Sequence, residues 1–290
     1  MRQRDDPHFS AFLDAIGDNH TENTVDLSCL QHTQSVQELI EFVFPPAVVA
    51  DPNICILRAI LSPFNAFVED FNTTILGNVP GPTHCYVSSD SIEGDSEHSS
   101  ETVLADPEFL NSLEEPGIPP HELVFKVGAI CRLIRNIDPS RGLTKNTRVI
   151  ICNLFKYTVE VETIASIVAG RLVDPVRLEA TWPQALILID SSQIRLHIPR
   201  FTFHFQPRGF NFTVLRKQVP LALCYATSFN GCQGLTVQKL GLDLHRSVFS
   251  HGQLYSAMTR VPDAKNVLIL KYEGDNSKLT TNIVWEELLL

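Results

Sequence analysis

The sequence predicts an α/β fold carrying an inserted small β-barrel, and three observations predict it. Residues 221–262 hold two apolar strand patterns, Leu221–Ala226 and Leu240–Leu244, joined by a Ser/Asn/Gly-rich turn and followed by apolar residues at helical spacing. Residues 54–75 repeat the theme, with a short apolar run giving way to Val68, Phe71 and Ile75 on one helical face. Between these stretches, from about Pro119 to Leu215, helical periodicity fades and short runs rich in β-branched and aromatic residues alternate with turns. Strand–turn–helix units thus stand on both sides of an all-β stretch whose natural reading is a small β-barrel. The expected boundaries are 1–48 for a helical segment, 49–118 with 215–290 for the α/β domain, and 119–214 for the insert.

The elements follow in chain order. Phe9, Phe12, Leu13 and Ile16 stand at i, i+3, i+4 and i+7, the stripe of an amphipathic helix. Ser35 and Glu38 stand at capping-box spacing ahead of Leu39, Ile40 and Val43, so a second helix is expected there. Both helices need a surface to pack on, and 1–48 alone reads as incomplete. Residues 54–61 read as a buried strand, and Asn65 then serves either as a helix cap or as a polar contact. Residues 77–117 are dominated by Pro, Ser, Gly, Asp and Glu, with GDSEHSSE at the centre, which predicts an exposed and partly mobile loop. Within the barrel, Lys145 and Asn146 occupy a turn. Asn tolerates positive φ and Lys does so poorly, so a longer or bulged connection is expected. His197 and His204 lie seven apart in apolar strands and read as packing residues, with no metal site expected. Ser250 and Gln253 make another capping box; Leu254, Ala257, Met258 and Val261 form one helical face, which Pro262 ends. Asn266–Leu270 is the last buried strand, and the tail is expected to end in a short helix.

Composition narrows the class. With 44% hydrophobic residues, 290 residues can bury a sizeable core. No apolar run reaches the length of a membrane span, and MRQRDDPHF lacks the apolar segment of a signal peptide, so an intracellular address is expected. Seven scattered cysteines, none spaced C-x-x-C, suggest neither a disulfide framework nor zinc. Asn72 and Asn211 open glycosylation sequons of little weight in such a chain. The net charge of −10 is unevenly spread: residues 1–120 hold 20 acidic against 3 basic side chains, and 121–270 hold 9 against 18. A basic stretch within an acidic protein is what a phosphate-binding face requires, because Lys and Arg gain from displacing the counterions of DNA or RNA. A solvated arginine-rich surface fits the same numbers.

The motifs are more specific. ATSFNGCQGLT (226–236) resembles motif V of superfamily-one helicases of the PIF and Helitron type, and FSHGQLYSAMTR (249–260) resembles their motif VI. LVFKVGAICRLIRNIDPSRGLTKNTRVIICNL (123–154) resembles the SH-three-like barrel that PIF-type helicases insert into their second RecA-like domain, and FSAFLDAIGDN (9–19) resembles Helitron wording after motif III. The resemblance implies a RecA-like P-loop NTPase fold for the α/β domain, and makes 1–48 a remnant of the first RecA-like domain. It implies that Arg260 is the arginine finger that meets the γ-phosphate of ATP, and that Gln233, Gly234 and Tyr255 line the ATP cleft. Single-stranded DNA would be contacted by Asn65, Ser228 and Asn230, and by Arg132, Arg135 and Arg148 of the barrel. Two positions depart from the pattern, with Gly231 for a usual Lys and Ser228 for a usual Thr; Phe64 also replaces the Thr of a common Thr-Asn pair.

The chain contains no G-x-x-x-x-G-K-[ST] and no apolar strand ending in Asp-Glu for magnesium. ATP and Mg are therefore expected only in a complete relative, with a first RecA-like domain supplied in cis or in trans. The implied activity is ATP-driven unwinding of DNA, five-prime to three-prime, with this chain inactive as a motor by itself. A stand-alone single-stranded nucleic-acid-binding module and a non-functional transposon relic remain alternatives.

Overall fold

The computed structural model describes residues 6–18, 24–93, 106–139, 142–163, 195–275 and 277–285. They form two compact units, one from residues 1–79 and 224–290, the other from 80–223 inserted between them.

The first unit begins with α1 (Pro7–Asp18), β1 (Thr24–Asp26), β2 (Gln31–Thr33) and α2 (Val36–Val43). Two single-turn helices, α3 (Pro46–Val49) and α4 (Pro52–Cys55), lead into β3 (Arg58–Ser62) and α5 (Asn65–Asn78). The sequence expectation of a strand from Ile54 is corrected here, because Asp51 caps Asn53 N–H and Pro52 occupies the first helical turn.

The second unit holds β4 (His84–Val87), β5 (Ser89–Ile92), α6 (Pro107–Ser112), β6 (Glu122–Phe125), β7 (Ile130–Leu133) and β8 (Arg148–Leu154). It continues with β9 (Thr158–Thr163), β10 (Arg195–Pro199), β11 (Phe201–Phe205), β12 (Val214–Gln218) and β13 (Leu221–Leu223). The chain then returns to the first unit with β14 (Ala226–Ser228), β15 (Lys239–Asp243), α7 (Gln253–Met258), β16 (Val267–Leu270) and β17 (Leu279–Thr281).

Five parallel strands in the order β14-β3-β15-β16-β2 make the central sheet of the first unit. Strand alternation assigns its faces. Leu240 and Leu242 share a core with Phe9, Leu13 and Ile16 of α1 and with Leu254, Ala257 and Met258 of α7. Gly241, between those leucines, faces α2: a Cβ there would stand 2.9 Å from Leu39 Cδ1 and 3.0 Å from Val43 Cγ2, so the bare backbone lets the helix close on the sheet. Each fully buried Leu or Met contributes about 1.5–3 kcal/mol of transfer free energy. Residues 1–48, expected to lack a packing surface, find one here, with β2 as an edge strand and α1 against α7. Ser35 caps α2 through Glu38 N–H as expected, while the Glu38 carboxylate accepts from Thr33 Oγ1. β1 and β17 form a separate antiparallel ribbon, and residues 286–290, where a terminal helix was expected, lie outside the described residues.

The second unit is antiparallel throughout, in sheets ordered β10-β9-β8-β7-β13, β11-β12-β5 and β4-β6. Its strands reach back into the expected loop: β4 and β5 lie within 77–117, because Tyr86 is fully buried and β5 pairs with β12. The GDSEHSSE centre is outside the described residues. The apolar run Leu221–Ala226 is two strands, not one; β13 pairs with β7 in the second unit, and β14 pairs with β3 in the first. At 144–147, Thr147 N–H donates to Thr144 O, and only Asn146 has positive φ (69°), so Lys145 is spared that conformation. His197 on β10 faces Glu160 across the ladder, and His204 lies in another sheet. Among the described residues no cluster suited to a metal ion occurs, and no helix is long and apolar enough to cross a membrane.

Candidate functional site

Parallel strands end on one edge, and in open α/β sheets the loops at that carboxyl edge carry ligands. Here β3 delivers Asn65 and β14 delivers Ser228 and Asn230 to it. Asn65 is the first residue of α5 and exposed; Phe64 holds the cap position without a side-chain bond, so the cap reading of Asn65 is not realised. Ser228 is half-buried, its Oγ accepting from Gly231 N–H at 3.2 Å.

From Asn230 the chain runs beside α7 to the start of β15, tied to the helix in steps. Gln253 Nε2 donates to Asn230 Oδ1 at 3.1 Å, Cys232 Sγ approaches Ser256 O at 3.9 Å, and Val237 N–H donates to Arg260 O at 2.9 Å. Burial pushes the Cys232 thiol up to about 11 against the opposing pull of Arg260, so it is a packing group and not a nucleophile. Residues 232–235 form a turn in which Leu235 N–H donates to Cys232 O, with Gln233 at φ −59°, ψ 125° and Gly234 at φ +83°. That is type II geometry, which demands glycine at its second central position and leaves the Gln233 side chain exposed.

Arg260 lies two residues past α7. Its Nε donates to Ser256 O at 2.6 Å, Nη2 to Thr259 Oγ1 at 2.8 Å and Nη1 to Leu235 O at 3.5 Å. The group is half-buried, and of five N–H donors two remain without a bond among the described residues. Gln253 opens the helix and Arg260 follows its end, so the candidate DNA loops and the arginine are tied to opposite ends of one short helix.

Other expected site residues go elsewhere. Tyr255 packs its ring against Gly17 of α1, whose Cβ would meet it at 3.2 Å, in a shallow cavity of about 350 Å³ shared with Asp14, Asp18 and His251. The two carboxylates beside the Tyr255 ring set its surroundings apart from the Gln233–Gly234 turn, which presents its exposed amide side chain. In the second unit, Arg132 Nη1 donates to Asn146 Oδ1 at 3.0 Å, and the Arg135 guanidinium stacks over Phe201 and Phe203 at 4.9 and 5.6 Å. Arg148 is corrected: it is 5% exposed, opposite Arg132 in the β7–β8 ladder, and no surface contact. Arg141 lies outside the described residues.

The Ser250–Gln253 capping box is corrected too. Helix α7 starts at Gln253 with Gly252 at φ 65° as its cap, and only half of the box forms, Gln253 Oε1 accepting from Ser250 N–H at 3.2 Å and Phe249 N–H at 3.1 Å. The helix ends at Met258, before Val261. Gln253 is 4% exposed and joins the two motifs, a role its capping position concealed. Asn72 was also missed. Its Oδ1 accepts from Tyr225 and Ala226 N–H at 2.9 Å each and its Nδ2 donates to Ala226 O at 3.1 Å, so α5 completes the edge of β14, and the sequon is interior. An amide beside Phe71 on the buried stripe of α5 was the available signal.

The family model for the 2B domain of the DNA helicase Pif1 matches residues 108–154, which run from α6 through β8. Human ATP-dependent DNA helicase PIF1 is 27% identical over 176 residues, 61% of this chain and 23% of its own length. The ATP-dependent DNA helicase RRM3 of Saccharomyces cerevisiae is 39% identical over 72 residues, 25% of this chain and 10% of its own. The chain is similar to Pif1-type helicases. It aligns with about a quarter of the length of human PIF1. Among solved structures, Bacteroides Pif1 in complex with ADP-AlF3 and ssDNA superposes with a TM-score of 0.56 at 17% identity, covering 98% of this chain and 52% of that one. Candida albicans Pif1 gives 0.55 at 17%, covering 93% and 55%. These likenesses establish the fold: a RecA-like α/β unit with an inserted β domain.

Proposed function

We propose that this chain is the second half of the motor of a Pif1-type ATP-dependent DNA helicase, presenting Arg260 to a nucleotide held by a first RecA-like domain and the loops of β3 and β14 to single-stranded DNA. The observation that carries the reading is the tie between motifs V and VI. Asn230 is joined to Gln253 at one end of α7 and Leu235 to Arg260 at the other, so a displacement of the DNA loop moves the arginine as part of one body. The two N–H donors that Arg260 keeps suit a phosphoryl group, which planar guanidinium meets through paired bonds.

ATP, when bound, supplies the phosphoryl transfer; this chain offers it only Arg260 and the Gln233–Gly234 turn, while the phosphate cradle and the magnesium carboxylates belong to the first domain. Where the host has a nucleus, the chain works there. The wording of residues 9–19 favours the Helitron branch.

The test joins a Pif1-type first RecA-like domain, with its Walker loop and Asp-Glu pair, ahead of residue 1, and measures DNA-stimulated ATP hydrolysis. Residues 1–290 alone are expected to show none. The fusion is expected to be active and to lose roughly a thousandfold in rate with Arg260→Ala, since an arginine finger stabilises charge that develops in the transition state. Arg260→Lys is expected not to rescue, for want of the planar fork. An active fusion indifferent to Arg260→Ala overturns the assignment.

A further inference from the structure

At the carboxyl edge of the parallel sheet, the ends of β15 and β16, the start of α2 and one face of α5 enclose a cleft of about 410 Å³, within the range of small-ligand sites. A row of aromatic rings runs through it and on past its rim, with Phe67, His245 and Tyr272 in the lining and Phe64 and Phe249 beyond it. Phe249 packs on Phe64 with centroids 5.4 Å apart, Phe64 meets Phe67 edge-on at 6.3 Å, Phe67 lies 6.4 Å from His245, and His245 meets Tyr272 edge-on at 6.4 Å. The two ends of this row are open: Phe249 is 53% and Tyr272 65% exposed. Apolar rings in water are costly, and this unit has ample interior to hide them.

The row has one exposed cation, Arg246, whose guanidinium stands 5.8 Å over the Phe64 ring. Beneath it the floor is rigid. Ser62 Oγ donates to Asp243 Oδ2 at 2.7 Å, and Asp243 Oδ1 accepts from His245 N–H and ring Nδ1 at 3.1 and 2.8 Å, which leaves Nε2 as the unused ring nitrogen. Asp243 is 1% exposed with both oxygens engaged; the cleft's other carboxylate, Asp70, is exposed.

We propose that this cleft and the aromatic row that continues past its rim form a base-stacking site for single-stranded DNA, with bases on the exposed faces of Phe249 and Tyr272 and a phosphate on Arg246. The inference rests on the DNA reading above and adds to it Arg246 and Tyr272, which lie outside the motif stretches, and a stacking role for Phe249 at the start of one. Three observations favour a polynucleotide over a protein segment. The apolar part of the lining is aromatic, Phe67, Phe71 and Tyr272, with Val36 as its one aliphatic member; every base has a π-face to offer such a wall. Arg246 is placed for a phosphate next to the rings. The cleft also continues the edge that carries Asn65, one residue from Phe64. Asp70 keeps phosphates at the Arg246 end.

The test is anisotropy of a labelled oligo-dT against the whole chain, alongside an abasic strand of equal length. Phe249→Ala and Tyr272→Ala are each expected to weaken oligo-dT binding about 5- to 100-fold, leave abasic binding unchanged, and leave the salt slope as in the parent. Arg246→Gln is expected to reduce that slope by about 0.7. All three side chains are exposed, so unchanged thermal midpoints certify the fold. Retained DNA affinity in both aromatic variants overturns the stacking site and leaves the motif reading standing. Absence of binding by the parent chain at low salt overturns both.

Discussion

In the β unit Arg216 lies fully buried on β12, whereas in the parallel-sheet unit Arg260 lies half-exposed beyond α7. Arg216 donates from Nε and Nη2 to Asp90 Oδ2 at 2.9 and 2.7 Å. It also donates from Nη1 to Leu113 O and Pro119 O at 2.9 and 3.3 Å, and from Nη2 to Leu110 O at 2.8 Å. Five bonds engage all five donors, and the Phe205 ring lies 5.4 Å from the guanidinium. Arg260 engages three donors and keeps two. Donor saturation, not residue type, separates an arginine that pins β5, β12 and the chain around α6 from one able to meet a ligand. The basic excess of residues 121–270 is correspondingly smaller as a surface property, since Arg148 and Arg216 are interior.

The sharpest way to break this contrast is to remove each arginine and compare stability. Arg216→Ala leaves Asp90, 1% exposed, as an unpaired buried carboxylate, at a cost of about 3–5 kcal/mol in urea unfolding. Replacing both partners by apolar residues of similar volume, Arg216→Met with Asp90→Leu, is expected to recover much of that loss. Arg260→Ala is expected to lower the unfolding free energy by less than about 1 kcal/mol. Equal losses at the two sites would erase the distinction.

A smaller effect contrasts two asparagines of α5. Asn72→Ala leaves the N–H groups of Tyr225 and Ala226 and the Ala226 carbonyl without their side-chain partner in a buried place, at about 1–3 kcal/mol. Hydrogen exchange is expected to quicken at Tyr225 and Ala226 and to stay as in the parent across β7–β9. Asn65→Ala, exposed at the helix start, is expected to be neutral in the same experiment. Slow exchange at Tyr225 in the Asn72 variant would mean that β14 holds its edge without α5.

Local chemistry explains which parts could be read from the sequence. The stripe Phe9, Leu13, Ile16 and the Ser35 cap are set by neighbours within one or two turns, and both appear as expected. The run Leu221–Ala226 looked like one strand because apolar character does not say which sheet a residue joins; its partners, β7 and β3, lie some 90 and 160 residues earlier in the chain. In VLRKQ the alternation does show that Arg216 shares a face with Val214 and Gln218 while Lys217 takes the other. Which face is interior depends on Asp90, distant in sequence within a stretch whose composition suggests a loop. Gly234 was identified by its motif, and the structure supplies the reason in a type II turn. Tyr255 came with the same motif, yet α1 claims its ring, a contact no motif encodes.

The smallest expected effect concerns Gly231, where relatives of this type usually carry Lys. Its φ is not in the left-handed region, so the constraint is space: a Cβ would stand 2.6 Å from Thr227 Oγ1 and 3.2 Å from Ser228 Oγ. Thr227 is 4% exposed, and its hydroxyl has no hydrogen-bond partner among the described residues, so nothing but shape holds it beneath the turn. Gly231→Ala is expected to cost about 1 kcal/mol, at the low end for overpacking because the turn can lift toward solvent. Gly231→Ala with Thr227→Ala removes the obstructing oxygen and is expected to restore part of the loss, a non-additivity that the double-mutant cycle reads directly. The same geometry bears on function. Restoring Lys at 231 in the fusion enzyme is expected to raise DNA-stimulated hydrolysis only when Thr227 is trimmed as well, since otherwise the lysine displaces the Ser228–Gly231 bond that shapes the loop. A gain from Gly231→Lys alone would show that this loop adapts freely, and that its tie to α7 through Asn230 and Gln253 is looser than the structure depicts.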